Sequence, residues 1–236
     1  MGAKKAKAKK VDVRVPVATG KPRTFVARNF DARAACRELS KSDPKMGALI
    51  KGIGPFTLKP VTKASPFHRL LRSIVFQQLN GKVADIIHGR VKDLFGGRDP
   101  EPEELLAASD ESLAKAGLSR AKRAALKDLA LAAKEGRVPD SKAIRAMPDE
   151  EIVKLLLPIR GVGKWTVEML LIFGLGRADV LAVDDYALKK AAMRLYKLKE
   201  MPDRKTFAAL GEKWRPWRSI ASWYLWRSLD PGPGNW

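Results

Sequence analysis

The chain has 236 residues, with 46 Lys+Arg against 26 Asp+Glu (a formal charge of +20) and 45% hydrophobic residues. Its single cysteine, Cys36, excludes an intramolecular disulfide, a four-cysteine zinc site and an iron–sulfur cluster, and reads as a small buried apolar side chain. No uncharged apolar run of about 18 residues and no signal segment occurs, so an intracellular protein off the membrane is expected, and its charge calls for a polyanionic partner, nucleic acid first.

The first 28 residues carry nine basic residues and one acid, with Lys4, Lys5, Lys7, Lys9 and Lys10 in an Ala/Lys run and no packable apolar period. This predicts a disordered basic arm over 1–28, followed by a folded domain over 29–236. The remainder still holds 37 basic residues against 25 acids (46 − 9 and 26 − 1), so the domain is basic in its own right. A generally solubilised surface is the alternative reading of that charge.

Helical patterns then follow one another. Phe30, Ala34 and Leu39 mark one segment. Ser65 and Pro66 cap the next, which carries Leu70, Leu71, Ile74 and Val75, and Gly81 opens one with Val83, Ile86, Ile87, Val91 and Leu94. Gly96-Gly97 stops it. Further helices fit 103–108, 110–116, 119–135, 150–157, 165–173, 185–196, 205–214 and 216–229. Strand patterns are nearly absent, so the expected fold is all-α: a two-lobed bundle of about ten helices.

Between two of these helices the chain reads Arg160-Gly161-Val162-Gly163-Lys164-Trp165-Thr166. A turn with two glycines leaves backbone amides open at a helix start, where a phosphate can approach closely and the helix dipole favours its charge. Arg160 and Lys164 add cations. An ordinary interhelical turn has the same pattern.

About twenty residues later comes Val183-Asp184-Asp185-Tyr186. Together with Ile74-Val75-Phe76-Gln77-Gln78-Leu79 and Arg215-Pro216-Trp217-Arg218-Ser219, the stretch from Pro66 to Leu229 resembles the helix-hairpin-helix DNA glycosylase superfamily. Within it, the pattern is similar to the alkylbase branch, DNA-3-methyladenine glycosylase II. The resemblance implies a glycosylase fold without an iron–sulfur cluster, a duplex-DNA partner, a monomer and no organic cofactor. It also implies hairpin contacts to the DNA backbone through Arg160, Gly161, Val162, Gly163, Lys164 and Thr166. A monovalent cation on the hairpin carbonyls belongs to the same implication; no other metal is implied.

One aspartate before a helix is explained as an N-cap, and first-turn acids are common, so the pair alone leaves the question open. The resemblance assigns the catalytic carboxylate to Asp185, with Asp184 the lesser candidate. Breaking an N-glycosidic bond builds positive charge on the sugar, which a fixed anion stabilises. A base methylated at N3 or N7 already carries positive charge and departs neutral, so no general acid is needed. His68 and His88 read as helix-surface or satisfied core residues.

Relatives that also cut the backbone have a nucleophilic lysine where this chain has Trp165, and an indole forms no Schiff base. Trp165 is instead a π face for a cationic flipped base, worth about 0.5–2 kcal/mol. The resemblance adds Trp226 to that pocket, with Tyr186 and Phe76 as weaker members. Met169, one turn beyond Trp165, falls where relatives have another aromatic. The turn Gln77-Gln78-Leu79-Asn80 suits a wedge that fills the gap left by the base, with Gln78 at the intercalating position and Leu79 as the apolar alternative; a simple polar turn is the other reading.

The expected activity is therefore hydrolytic release of alkylated purines, 3-methyladenine and 7-methylguanine foremost, without strand cleavage. Two alternatives stand beside it: the same fold acting on mismatched or deaminated bases, and a DNA-binding module without chemistry.

Overall fold

Helix starts are set by side-chain caps that accept the first free amides. The computed structural model describes residues 30–58 and 64–229; the basic arm over 1–28 lies outside the described residues. Asp31 caps α1 (Ala32–Ser42), Asp43 caps α2 (Pro44–Ile53), Ser65 caps α3 (Pro66–Phe76) and Asn80 caps α4 (Gly81–Asp93). Then come α5 (Pro102–Ala107), α6 (Asp110–Lys115), α7 (Arg120–Lys134), α8 (Ala143–Ala146), α9 (Asp149–Leu156) and α10 (Lys164–Met169). The chain closes with α11 (Tyr186–Tyr196), α12 (Arg204–Gly211), a 3₁₀ turn over Glu212–Trp214 and α13 (Arg218–Leu229). Among the described residues there are thirteen α-helices and no strand.

The helices sort into two lobes. α1 and α2 fold back onto α11, α13 and the 3₁₀ turn, while α3, α4, α5, α6 and α7 pack on one another and α9 packs on α10. A single apolar core runs through both lobes. At its centre α13 is buried continuously from Ser219 to Trp226, as expected of a helix that is apolar on every face. Each large side chain sealed there contributes about 1.5–3 kcal/mol.

Three local differences from the sequence reading have physical reasons. α2 is a separate helix, because Asp43 ends α1 and its carboxylate accepts from the amides of Lys45 and Met46 at 3.1 and 3.2 Å. The expected helix over 165–173 is α10 followed by a π-helical turn over Leu170–Leu175, which ends at the left-handed Gly176 (φ 65°). Cys36 is half-buried rather than buried, its Sγ 3.4 Å from the Tyr224 hydroxyl.

Asp43 also joins chain segments far apart. Its carboxylate accepts from Trp214 Nε1 at 3.0 Å, from the Tyr196 hydroxyl, and from Lys213 Nζ at 3.0 Å. Burial pushes this carboxyl up, but the bonds from Tyr196, Trp214, Lys213 and the Met46 amide outweigh it and hold the pKa at about 2.

Candidate active site

The buried run Val180-Leu181-Ala182 delivers the chain to α11. It is fastened to the start of α13: Val180 N donates to Ser219 Oγ at 2.9 Å, and Ser219 N donates to the Ala178 carbonyl at 2.9 Å. Beside it, Arg218 and Arg215 clamp the Asp179 carboxylate at 2.6 and 2.7 Å. Asp185 therefore arrives in a fixed place, as the N-cap of α11, with Oδ1 accepting from Leu188 N at 2.8 Å.

Two indoles complete its surroundings. Trp165 Nε1 donates to Asp185 Oδ2 at 2.7 Å, and Trp226 Nε1 donates to Oδ1 at 3.2 Å. The aspartate is 9% exposed, and among the described residues no Lys, Arg or His side chain pairs with it. Three neutral donors thus orient the carboxylate without cancelling its charge. In a water-poor setting an uncancelled charge acts strongly on whatever cation comes near.

Asp184, by contrast, points to the surface and pairs with Arg204 Nη1 at 3.1 Å. The pocket candidates divide in the same way. Trp165 is 46% exposed while bonded to Asp185, and Trp226 is buried with its ring tilted over Phe173 at 5.5 Å. Tyr186 is 68% exposed, and Met169 is half-buried one turn beyond Trp165. Phe76 is engaged on α3 and α4, with the Arg72 guanidinium 3.7 Å from its ring centroid and His88 edge-on at 6.0 Å.

The hairpin glycines have different reasons to be glycine. Gly161 is left-handed (φ 80°), and a Cβ there would lie 2.8 Å from Ala125 Cβ, so the fold itself requires it. Gly163 has φ −87° and ψ 169°, and a Cβ there would meet nothing within 4 Å. No side chain caps α10, so the amides of its first turn keep their bonding capacity. The side chains of Val162 and Thr166 are buried, which leaves only their backbone to face a partner. Arg160 is exposed, and its backbone amide donates to Asp128 Oδ2 at 2.7 Å.

Lys164 Nζ lies 3.7 Å from Glu168 Oε1, a residue the sequence reading missed. Burial pushes the Glu168 carboxyl up to about 7; Lys164 and Arg204 pull it down and Asp184 pushes it further up. The signal was one acid among the apolar residues that follow Trp165.

In the turn after α3, Gln78 is exposed and left-handed (φ 57°), Leu79 is half-buried and Asn80 caps α4. Gln77, read only as part of that turn, donates from Nε2 to the Gly161 carbonyl at 2.8 Å. The histidines are satisfied structural residues. His88 is buried 2.6 Å from Asp99 Oδ1, and His68 bonds the Ser65 hydroxyl and the Pro100 carbonyl at 2.8 and 3.2 Å. Among the described residues no cluster of His, Cys, Asp or Glu can hold a metal ion.

A helix–hairpin–helix whose second helix begins beside a helix-capping aspartate, inside a two-lobed all-α bundle, defines the class of helix-hairpin-helix base-excision proteins. The family model described as "HhH-GPD superfamily base excision DNA repair protein" matches residues 71–216, and the chain belongs to that family. It is 32% identical over 204 residues to the alkylbase DNA glycosidase-like protein mag2 of Schizosaccharomyces pombe, covering 86% of this chain and 96% of that one. It is 34% identical over 192 residues to DNA-3-methyladenine glycosylase 1 of the same yeast, covering 80% and 84%. The structure superposes on the S. pombe 3-methyladenine DNA glycosylase Mag1 in complex with abasic DNA with a TM-score of 0.76, at 34% identity over 83% of this chain and 96% of that one.

Proposed function

We propose that the protein is a monofunctional DNA glycosylase that works as a monomer inside the cell. On this reading it extrudes alkylated purines, 3-methyladenine and 7-methylguanine foremost, from double-stranded DNA, hydrolyses the base–sugar bond and leaves an abasic site. The observation that carries the reading is the Asp185 carboxylate, buried, held by neutral donors alone and bridged to the half-exposed Trp165. The names of the relatives support the substrate class.

In this mechanism the hairpin amides, with Arg160 and Lys164, grip the DNA backbone. The turn at Gln78 and Leu79 fills the space left by the extruded nucleotide. The cationic base stacks at Trp165, with Trp226 behind the carboxylate. The C1′–N bond breaks with its electron pair going to the base, which leaves neutral. Asp185 stabilises the positive sugar; water bonds to C1′ and loses its proton to solvent. Since the base departs without protonation, the structural engagement of both histidines costs the reaction nothing. Lys164 faces Glu168 and Trp165 has no amine, which supports hydrolysis over Schiff-base chemistry, so borohydride should trap no adduct.

The test is chromatography of bases freed from methylated, deaminated and oxidised duplex DNA. Release of methylated purines by the wild type and none by Asp185→Asn is the expected result. No release by the wild type overturns the reading, and release of deaminated bases alone changes the substrate.

A further inference from the structure

The turn after α3 and the hairpin turn are far apart in the chain, yet one side chain joins them. Gln77 Nε2 donates to the Gly161 carbonyl at 2.8 Å across a separation of 84 residues. Both ends of this bond are anchored. Gly161 is seated against Ala125, and a Cβ on it would also lie 3.8 Å from Ile74 of α3. On the other side, the Val75 carbonyl, two residues before Gln77, accepts from Lys122 Nζ of α7 at 2.7 Å. Directly after Gln77, Gln78 is held left-handed (φ 57°), a conformation that is unfavourable for a non-glycine residue and persists only where its surroundings impose it.

We infer that Gln77 is a positioning residue that clasps the wedge turn to the hairpin, so that backbone grip and wedge insertion move through the DNA as one rigid body. This rests on the duplex-opening reading above. Extruding a base costs stacking and pairing, and the wedge offsets that cost only if it enters the stack at a set distance from the gripped phosphate. Without the clasp, the hairpin still binds DNA, but the wedge is no longer delivered with it.

The experiment compares wild type, Gln77→Ala and Gln77→Glu in the full chain, on one methylated strand presented either as duplex or single-stranded, under single-turnover conditions. Loss of the Gly161 bond, together with the longer 3.5 Å bond from Gln77 Nε2 to Thr166 Oγ1, should slow excision from duplex about three- to tenfold in Gln77→Ala. Excision from the single strand, which needs no opening, and binding to undamaged duplex should stay within about twofold. In Gln77→Glu, a carboxylate facing the carbonyl should slow duplex excision at pH 8, and activity should recover as the pH falls and the protonated acid regains a donor. A simple packing role would move neither the duplex-to-single-strand ratio nor that pH profile. Equal losses on both substrates, or no loss on duplex, overturn the clasp. A wild type that excises from neither substrate overturns the glycosylase reading itself.

Discussion

Asp43 and Asp185 each cap a helix, each accept an indole N–H and each are nearly sealed from water. Asp43, however, also meets the Lys213 ammonium and the Tyr196 hydroxyl, and both oxygens are engaged by groups from three parts of the chain. Asp185 meets neutral donors only, and one of them, Trp165, opens to solvent. The local pattern of aspartate, helix start and distant tryptophan therefore makes a structural staple at Asp43 and, on the proposed reading, a working anion at Asp185. What differs is whether a cation cancels the charge and whether a donor reaches solvent.

The comparison breaks most decisively at the two carboxylates. Asp185→Asn retains a capping oxygen for α11, so its urea unfolding should be close to wild type, while base release in single turnover falls at least about 100-fold. Asp43→Asn should do the reverse, losing about 2–3 kcal/mol of unfolding free energy with the chemical step unchanged. If Asp43→Asn instead stops base release at full stability, the distinction between the two sites is wrong.

Next in size is Trp165→Phe, which keeps a ring but removes the N–H that holds Asp185 Oδ2. One lost hydrogen bond to a charged acceptor predicts excision slowed about tenfold, with affinity for undamaged DNA unchanged. An equal loss of DNA affinity would turn Trp165 into a binding residue only.

The smallest effects are in pH. Glu168 titrates above the ordinary carboxylate range when folded, so its contribution is complete at acid pH and is lost as pH rises through about 7. Glu168→Gln should match the wild type's unfolding free energy near pH 4 and exceed it at pH 8, by on the order of 1 kcal/mol. Asp43 has the opposite sign: its contribution is present above the ordinary range and is lost as pH falls towards about 2. Melting curves of Asp43→Asn and wild type should therefore converge at acid pH.

The sequence was most legible where chemistry is local. Ser65-Pro66 marked α3, and the aromatic-rich run of α13 marked a core helix, because caps and composition are read within a few residues. Asp185 and the two tryptophans were nameable only through a family likeness. Their mutual bonds span 20 and 41 residues, and no periodicity encodes such distances. The π turn over Leu170–Leu175 was invisible because its composition suits an α-helix equally well. Gln77 was passed over for its neighbour because the residue that matters to it, Gly161, belongs to another lobe segment.

Gly163 separates two selective pressures that usually coincide. Its backbone angles are open to any residue and no protein atom stands where a methyl group would go, so Gly163→Ala should leave thermal stability within about 0.5 kcal/mol. If the hairpin amides grip the DNA backbone as proposed, the same methyl group stands in the path of an incoming phosphate and should weaken DNA affinity. A screen that ranks variants by heat resistance alone would thus retain this one and discard the enzyme's hold on its substrate without any warning in the melting curve.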